Sequence, residues 1–153
     1  MRISFDMDDT LVPLHRDDER QADCRLLCGD LVRAGGIQLL RDLQREHELW
    51  IYTTSFRVPW KVRWSFWLQG IRIRRVIQEE IHRQMIREYL FQPIPSKYPK
   101  HFGIDLHVDD SPGVLAEGKR LGFEVLWVDP RDPHWSETVR SGIESMVAAR
   151  AAG

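Results

Sequence analysis

Short continuous apolar runs alternate along the chain with segments whose apolar residues recur every three or four positions, a pattern that predicts strands of a parallel sheet separated by covering helices. Ile3–Phe5 is a brief apolar run that ends in acids. Leu49–Thr53 is apolar almost throughout, as expected of a strand buried on both faces. Ile71–Ile77, Ile104–Val108 and Phe123–Val128 also read as strands, with polar residues among the apolar ones. Between them residues 11–35 are polar, with a helix expected near residues 18–33, and Gly35-Gly36 then precedes a helix to about His47 whose Ile37, Leu40 and Leu43 recur at helical spacing. A third runs from Pro59 to Gly70 and a fourth over about 79–90. The fifth is opened by Ser111 and Pro112 and closed by Gly122, and the last covers about 135–149 with Val139, Ile143 and Met146 as its buried stripe. Pro93, Pro95 and Pro99 make 91–103 an irregular loop. The expected fold is α/β: a Rossmann-like three-layer domain with a mostly parallel central sheet.

Two segments of this pattern carry further expectations. Trp60, Trp64 and Trp67 are spaced by four and three residues, the arrangement of a helix that turns its aromatic side to the core. Cys24 and Cys28 match neither a zinc knuckle nor a redox pair, and they read as unligated thiols on a half-buried helix.

With 153 residues the chain suffices for one domain with a real core, here 1–153, with 11–35 as a small flap or loop insertion. The net charge of −1 and sequence pI near 6.6 do not indicate capture of nucleic acid by the surface as a whole, although a local basic patch is compatible with them. No apolar run approaches the length needed to span a membrane, and the opening segment is too brief for a signal peptide, so a cytoplasmic protein is expected.

The polar residues that punctuate the strands suggest chemistry. Asp6 and Asp8, with Thr10 behind them, follow the first strand; Thr53 ends the second; Lys97 and Lys100 lie in the proline loop; Asp109 and Asp110 end another strand. In an open α/β sheet ligands bind beyond the carboxyl ends of the strands, and all of these positions fall on that side. Carboxylates gathered there suit a hard cation, and an aspartate beside one can attack phosphorus while a second acid serves the leaving oxygen.

These residues resemble the four motifs of the haloacid dehalogenase superfamily of phosphatases and phosphotransferases: Asp6-Met7-Asp8-Asp9-Thr10, Thr53, a lysine, and Asp109-Asp110. The resemblance implies that Asp6 is the nucleophile, Asp8 the general acid and then base, Thr53 a donor to phosphoryl oxygens and the lysine a charge clamp. It further implies magnesium held by Asp6, Asp8 through its carbonyl, Asp109 and Asp110, with Asp110 first among the direct acidic ligands of the fourth motif. Lys97 is preferred over Lys100, because the residues after it must lead into the next strand. One departure stands out, since the glycine usual after the second aspartate is Asp9 here.

Set beside this family, whose members often insert a cap domain after the first motif or between the second and third, the chain is expected to have no large cap domain, so the implied substrate, a phosphomonoester of a small molecule or a macromolecule, is approached through an open site. Thr54, Ser55, Arg57 and Lys100 are the candidate substrate-binding residues, and His15, Arg16, Phe56 and Lys61 are near the loops on the same side. Two other readings stay open: a receiver-like phosphate-accepting signalling domain, whose usual order of acids differs from this one, and a non-catalytic metal-binding interaction module of the same fold.

Overall fold

The computed structural model describes residues 1–13, 22–89, 91 and 93–152. Strands β1 (Arg2–Phe5), β4 (Glu48–Tyr52), β5 (Ile73–Ile77), β6 (Leu106–Asp109) and β7 (Val125–Trp127) form a central parallel sheet in the order β5-β4-β1-β6-β7. Strand β1 is central, pairing with β4 on one side and β6 on the other. Helices α1 (Gly36–Leu43), α2 (Pro59–Leu68), α3 (Glu79–Ile86), α4 (Pro112–Leu121) and α5 (Trp135–Ala152) flank the sheet.

The continuous apolar run of β4 is explained by what lies on its two faces. Leu49 and Ile51 belong to the larger core with Ile3, Phe5, Leu106 and Val108, whereas Trp50 and Tyr52 point the other way into a smaller core with Ile77 and Ile104. Alternation of side chains thus divides one strand between two cores, which is why its run of apolar residues is continuous. Helix α1 turns Ile37, Leu40 and Leu43 to the larger core, and α5 adds Trp135, Val139 and Ile143. Helix α4 begins and ends as its sequence requires. The Ser111 hydroxyl accepts from the Val114 amide at 3.4 Å, Pro112 occupies the first turn, and Gly122 closes the helix with φ 71°.

Several expectations are corrected. Residues 22–33 are not helical: β2 (Ala22–Arg25) and β3 (Leu31–Arg33) form an antiparallel hairpin separate from the main sheet, with residues 26–30 as its turn. Gly29 with φ 93° and the Leu26–Gly29 turn suit a reversal, and a polar stretch without clear apolar periodicity does not distinguish this from a helix. Cys24 therefore lies in a strand and Cys28 in the turn, both half-buried and unpaired as disulfides. The tryptophan stripe of α2 faces solvent. Trp60, Trp64 and Trp67 are 59, 53 and 61% exposed, while Val62, Ser65 and Phe66 are buried. Apolar residues occur on both sides of α2, so spacing alone did not say which side the sheet would cover, and the branched and phenylalanyl side won. Helix α1 also stops at Leu43 rather than near His47, and a short 3-10 helix at Pro99–Phe102 interrupts the proline loop. His15 and Arg16 lie outside the described residues.

The loop after β1 holds one unusual backbone. Asp9 has φ 59°, the left-handed region that most side chains avoid and that glycine occupies freely. Asp6 to Val12 is tightly wound here, with the Leu11 and Val12 amides donating to the Met7 carbonyl at 3.0 and 2.7 Å. Aspartate is among the few residues that accept this conformation, at a cost of roughly 1 kcal/mol. Asp9→Gly should therefore raise the urea midpoint by the equivalent of up to about 1 kcal/mol, the backbone relief being partly offset by the greater freedom of glycine in the unfolded chain. A lower midpoint in that variant would show that the Asp9 side chain contributes more than its backbone costs.

Candidate active site

Strand register builds the centre of the site. Phe5 pairs with Val108, so the residues that follow them, Asp6 and Asp109, emerge side by side where the two strands end. The Asp6 amide extends the pairing by donating to the Val108 carbonyl at 2.9 Å. Between the two carboxylates sits Lys97 from the proline loop, its Nζ 2.7 Å from Asp6 Oδ1 and 2.6 Å from Asp109 Oδ2. All three side chains are buried. Asp110 lies beside them, accepting from the Thr10 hydroxyl at 3.0 Å, while its backbone carbonyl accepts from Trp127 Nε1 at 2.6 Å. Carboxylate oxygens of Asp6, Asp109 and Asp110 lie within 4.8 Å of one another, close enough to share one cation.

A polar chain beneath this group fixes Asp109. His107 Nε2 is 2.8 Å from Asp109 Oδ2, and His107 Nδ1 is 2.8 Å from Ser4 Oγ. An ionised carboxylate only accepts, so Nε2 carries the proton, and Nδ1 of the neutral ring accepts from the Ser4 hydroxyl. The other Asp109 oxygen accepts from the Ser111 amide at 2.8 Å. Every polar atom in this chain has a partner, as a buried network requires.

The charges do not balance. Burial pushes the Asp6 carboxyl above its ordinary value; Lys97 opposes the shift and the Asp109 charge adds to it. Burial raises Asp110 as well, with Asp109 and Asp9 contributing repulsion. Burial also works against Asp109, but bonds from His107 and Lys97 outweigh it and hold this carboxyl well below the usual range. Lys97 is pulled down by burial and pushed up more strongly by Asp6 and Asp109, so it remains an ammonium. One lysine thus serves a group of three acids, two of which resist ionisation. A hard divalent cation answers that deficit, and in this respect the donor set fits magnesium.

Asp8 is held apart from this cluster. Its two carboxylate oxygens receive Arg57 Nη1 and Nη2, each at 2.7 Å, in a bidentate pair. Arg57 also binds Asp30 in the hairpin turn, with Nε to Oδ2 at 2.6 Å, and donates to Ser55 Oγ. Burial alone would lower the Arg57 pKa, but its bonds to Asp8 and Asp30 raise it above the ordinary value, so the clamp is fully charged. Asp30 and the hairpin are thereby tied to the first motif.

Thr53 continues the site at the end of β4, where its amide donates to the Ile77 carbonyl and its hydroxyl meets Ser55 Oγ at 2.8 Å. Thr54 and Phe56 are exposed beside it. Of the two lysines, the fold brings Lys97 to Asp6; Lys100 is exposed on the 3-10 helix with its ammonium beside Gly122. The Asp8 carboxylate does not join the acidic group of Asp6, Asp109 and Asp110. Sequence reasoning passed over Ser4, His107 and Asp30. Alternation along β6 carries a signal for His107, which lies two residues before Asp109 and so on the same face. No comparable periodicity marks Asp30.

No family model matches the chain, and no curated protein matches it. Among solved structures it is similar to a predicted HAD-like family hydrolase from Porphyromonas gingivalis, with a TM-score of 0.51 and 15% identity over 91% of this chain and 96% of that one. The chain therefore has a HAD-like fold, and Asp6, Asp109 and Asp110 lie at or just beyond the carboxyl ends of its own β1 and β6. Among the described residues no helix is long and apolar enough to cross a membrane.

The buried imidazole gives a pH test of this geometry. Burial holds the His107 pKa below 6.5, so as pH falls through 6.5 the unfolded chain gains a proton that the folded chain refuses, and stability falls. His82, buried against the Tyr52 hydroxyl, acts in the same sense. The contribution of one such group reaches about 1.4 kcal/mol per pH unit. The raised carboxyls of Asp6 and Asp110 act in the opposite sense, so the test is the difference: from pH 7.5 to 5.5 the urea midpoint of His107→Gln should rise relative to that of the native protein. An equal slope in the two proteins would mean that His107 is not held neutral.

Proposed function

We propose that the protein is a magnesium-dependent phosphoric monoester hydrolase that works through an aspartyl-phosphate on Asp6. The carrying observation is the Asp6 carboxylate at the end of the central strand, 2.7 Å from the Lys97 ammonium and grouped with Asp109 and Asp110. The likeness in fold to a predicted HAD-like family hydrolase is consistent with this reading. Magnesium would be held by Asp6, Asp109 and Asp110 with the Asp8 carbonyl, and it would supply positive charge toward the phosphoryl oxygens.

In the proposed reaction an Asp6 oxygen attacks phosphorus and the bond to the leaving oxygen breaks. Lys97 offsets the repulsion between a carboxylate and an anionic phosphate, and Thr53 donates to the transferring oxygens. The Asp8 carboxyl gives its proton to the leaving oxygen, then takes one from the water that attacks the acyl phosphate and frees Asp6. Asp8 cannot do this while Arg57 holds both of its oxygens, so the clamp opens in each cycle. Arg57, with Ser55 and Thr54, then lies ready for the phosphoryl group or the leaving group.

The same clamp favours a second reading. If Arg57 stays on Asp8, no base activates water, the acyl phosphate on Asp6 persists, and the domain behaves as a phosphate-accepting module. The lifetime of phospho-Asp6 distinguishes the two: turnover requires that it decay as fast as substrate is consumed.

Turnover of phosphomonoesters with magnesium should vanish in Asp6→Asn. It should fall by on the order of a hundredfold or more in Lys97→Ala, the loss of one preorganised charge contact, and change little in Lys100→Ala. Asp110→Asn should weaken magnesium binding in calorimetry. Full turnover in Asp6→Asn removes the nucleophile, and undiminished binding in Asp110→Asn removes that residue from the metal.

A further inference from the structure

Helix α2 and the turn behind it present an aromatic and cationic surface that the chemistry at Asp6 does not use. Trp60, Trp64 and Trp67 stand outward along the helix, each more than half exposed. The Trp64 and Trp67 rings meet edge to face with centroids 5.1 Å apart, forming a corner. They line a groove of about 330 Å³ with Ile71 and Ile73 as its floor and Arg63 and Arg72 at its sides. Lys61 lies 5.8 Å from the Trp60 ring centre. From 57 to 77 the chain has six basic residues and no acidic one, although its overall charge is −1. Lys61, Arg63 and Arg72 are exposed, and among the described residues no carboxylate pairs with them.

Indoles are costly to leave in water, so three on one surface helix mark a binding surface. The charge decides what binds. A second copy using the same patch would place Lys61, Arg63 and Arg72 against their own equivalents, because a twofold interface is built from one patch meeting itself. An acidic peptide would satisfy the cations but offers little flat apolar area to three indoles. A polyanion that carries its own planar rings satisfies both. We propose that this face binds single-stranded nucleic acid, with bases stacked on Trp60, Trp64 and Trp67 and phosphates held by Lys61, Arg63 and Arg72. Stacking on aromatic side chains beside basic groups tolerates any base, because every base has a flat face. A duplex keeps its bases stacked on one another and has none to offer. The proposal is independent of turnover at Asp6.

Fluorescence anisotropy of a labelled single-stranded oligodeoxythymidylate, without magnesium, tests this face directly. Binding should saturate at low salt, quench tryptophan emission and weaken steeply as salt rises. Trp64→Ala and Trp67→Ala should each weaken it by about fivefold to a hundredfold, and Arg63→Gln should lessen its salt dependence. All three positions are exposed, and circular dichroism should show the fold intact. Absence of saturable binding, equal affinity for duplex, or affinity unchanged in both tryptophan variants overturns the proposal. So does concentration-dependent dimerisation that the tryptophan variants abolish, which would make a second copy the occupant.

Discussion

Two carboxylates brought together by strand pairing, with one ammonium between them, impose the constraint on which this structure turns. The register of β1 against β6 places Asp6 beside Asp109, and no side-chain choice can separate them without shifting the sheet. Like charges at that spacing in a buried place repel, and Lys97 at 2.7 and 2.6 Å is what makes the arrangement tolerable. Removing one partner of such a group strands the others uncompensated, which costs about 3–5 kcal/mol in comparable buried pairs. The proline loop that delivers Lys97 is therefore part of the fold's stability.

From that centre two sets of contacts spread in opposite directions. Downward, Ser4 and His107 hold Asp109 in one orientation inside the sheet, where every hydrogen bond is satisfied and nothing needs to move. Outward, Arg57 ties Asp8 to Asp30 and so joins the first motif to the β2–β3 hairpin. The first set is rigid because it is buried, whereas the Asp8–Arg57 pair is partly open to solvent and can exchange partners at smaller cost. A site that needs a fixed nucleophile and a mobile acid would be divided in this way.

Much of this was legible in the sequence where burial on both faces leaves a strand no choice. Leu49–Tyr52 reads as a strand buried on both faces, and the acids after Phe5 and Val108 read as lying at the carboxyl ends of strands, where the fold has them. Legibility failed where a segment is short or apolar on both sides. The hairpin at 22–33 is governed by turn chemistry around Gly29 rather than by period, and α2 has two faces that either core could accept. The Arg57–Asp30 contact spans 27 positions and follows from the hairpin, so no local pattern announces it. Asp9 in place of the glycine usual to this motif is intelligible only with its φ of 59° in view.

As the proposed nucleophile, Asp6 already lies among the charges an acyl phosphate needs. Beryllium fluoride mimics that group on an aspartate, and fluorine NMR reports whether it is bound. A bound resonance should form with magnesium present, disappear in Asp6→Asn and persist in Asp8→Asn, which keeps the backbone carbonyl. No bound resonance in the native protein, or an unchanged one in Asp6→Asn, would contradict the account.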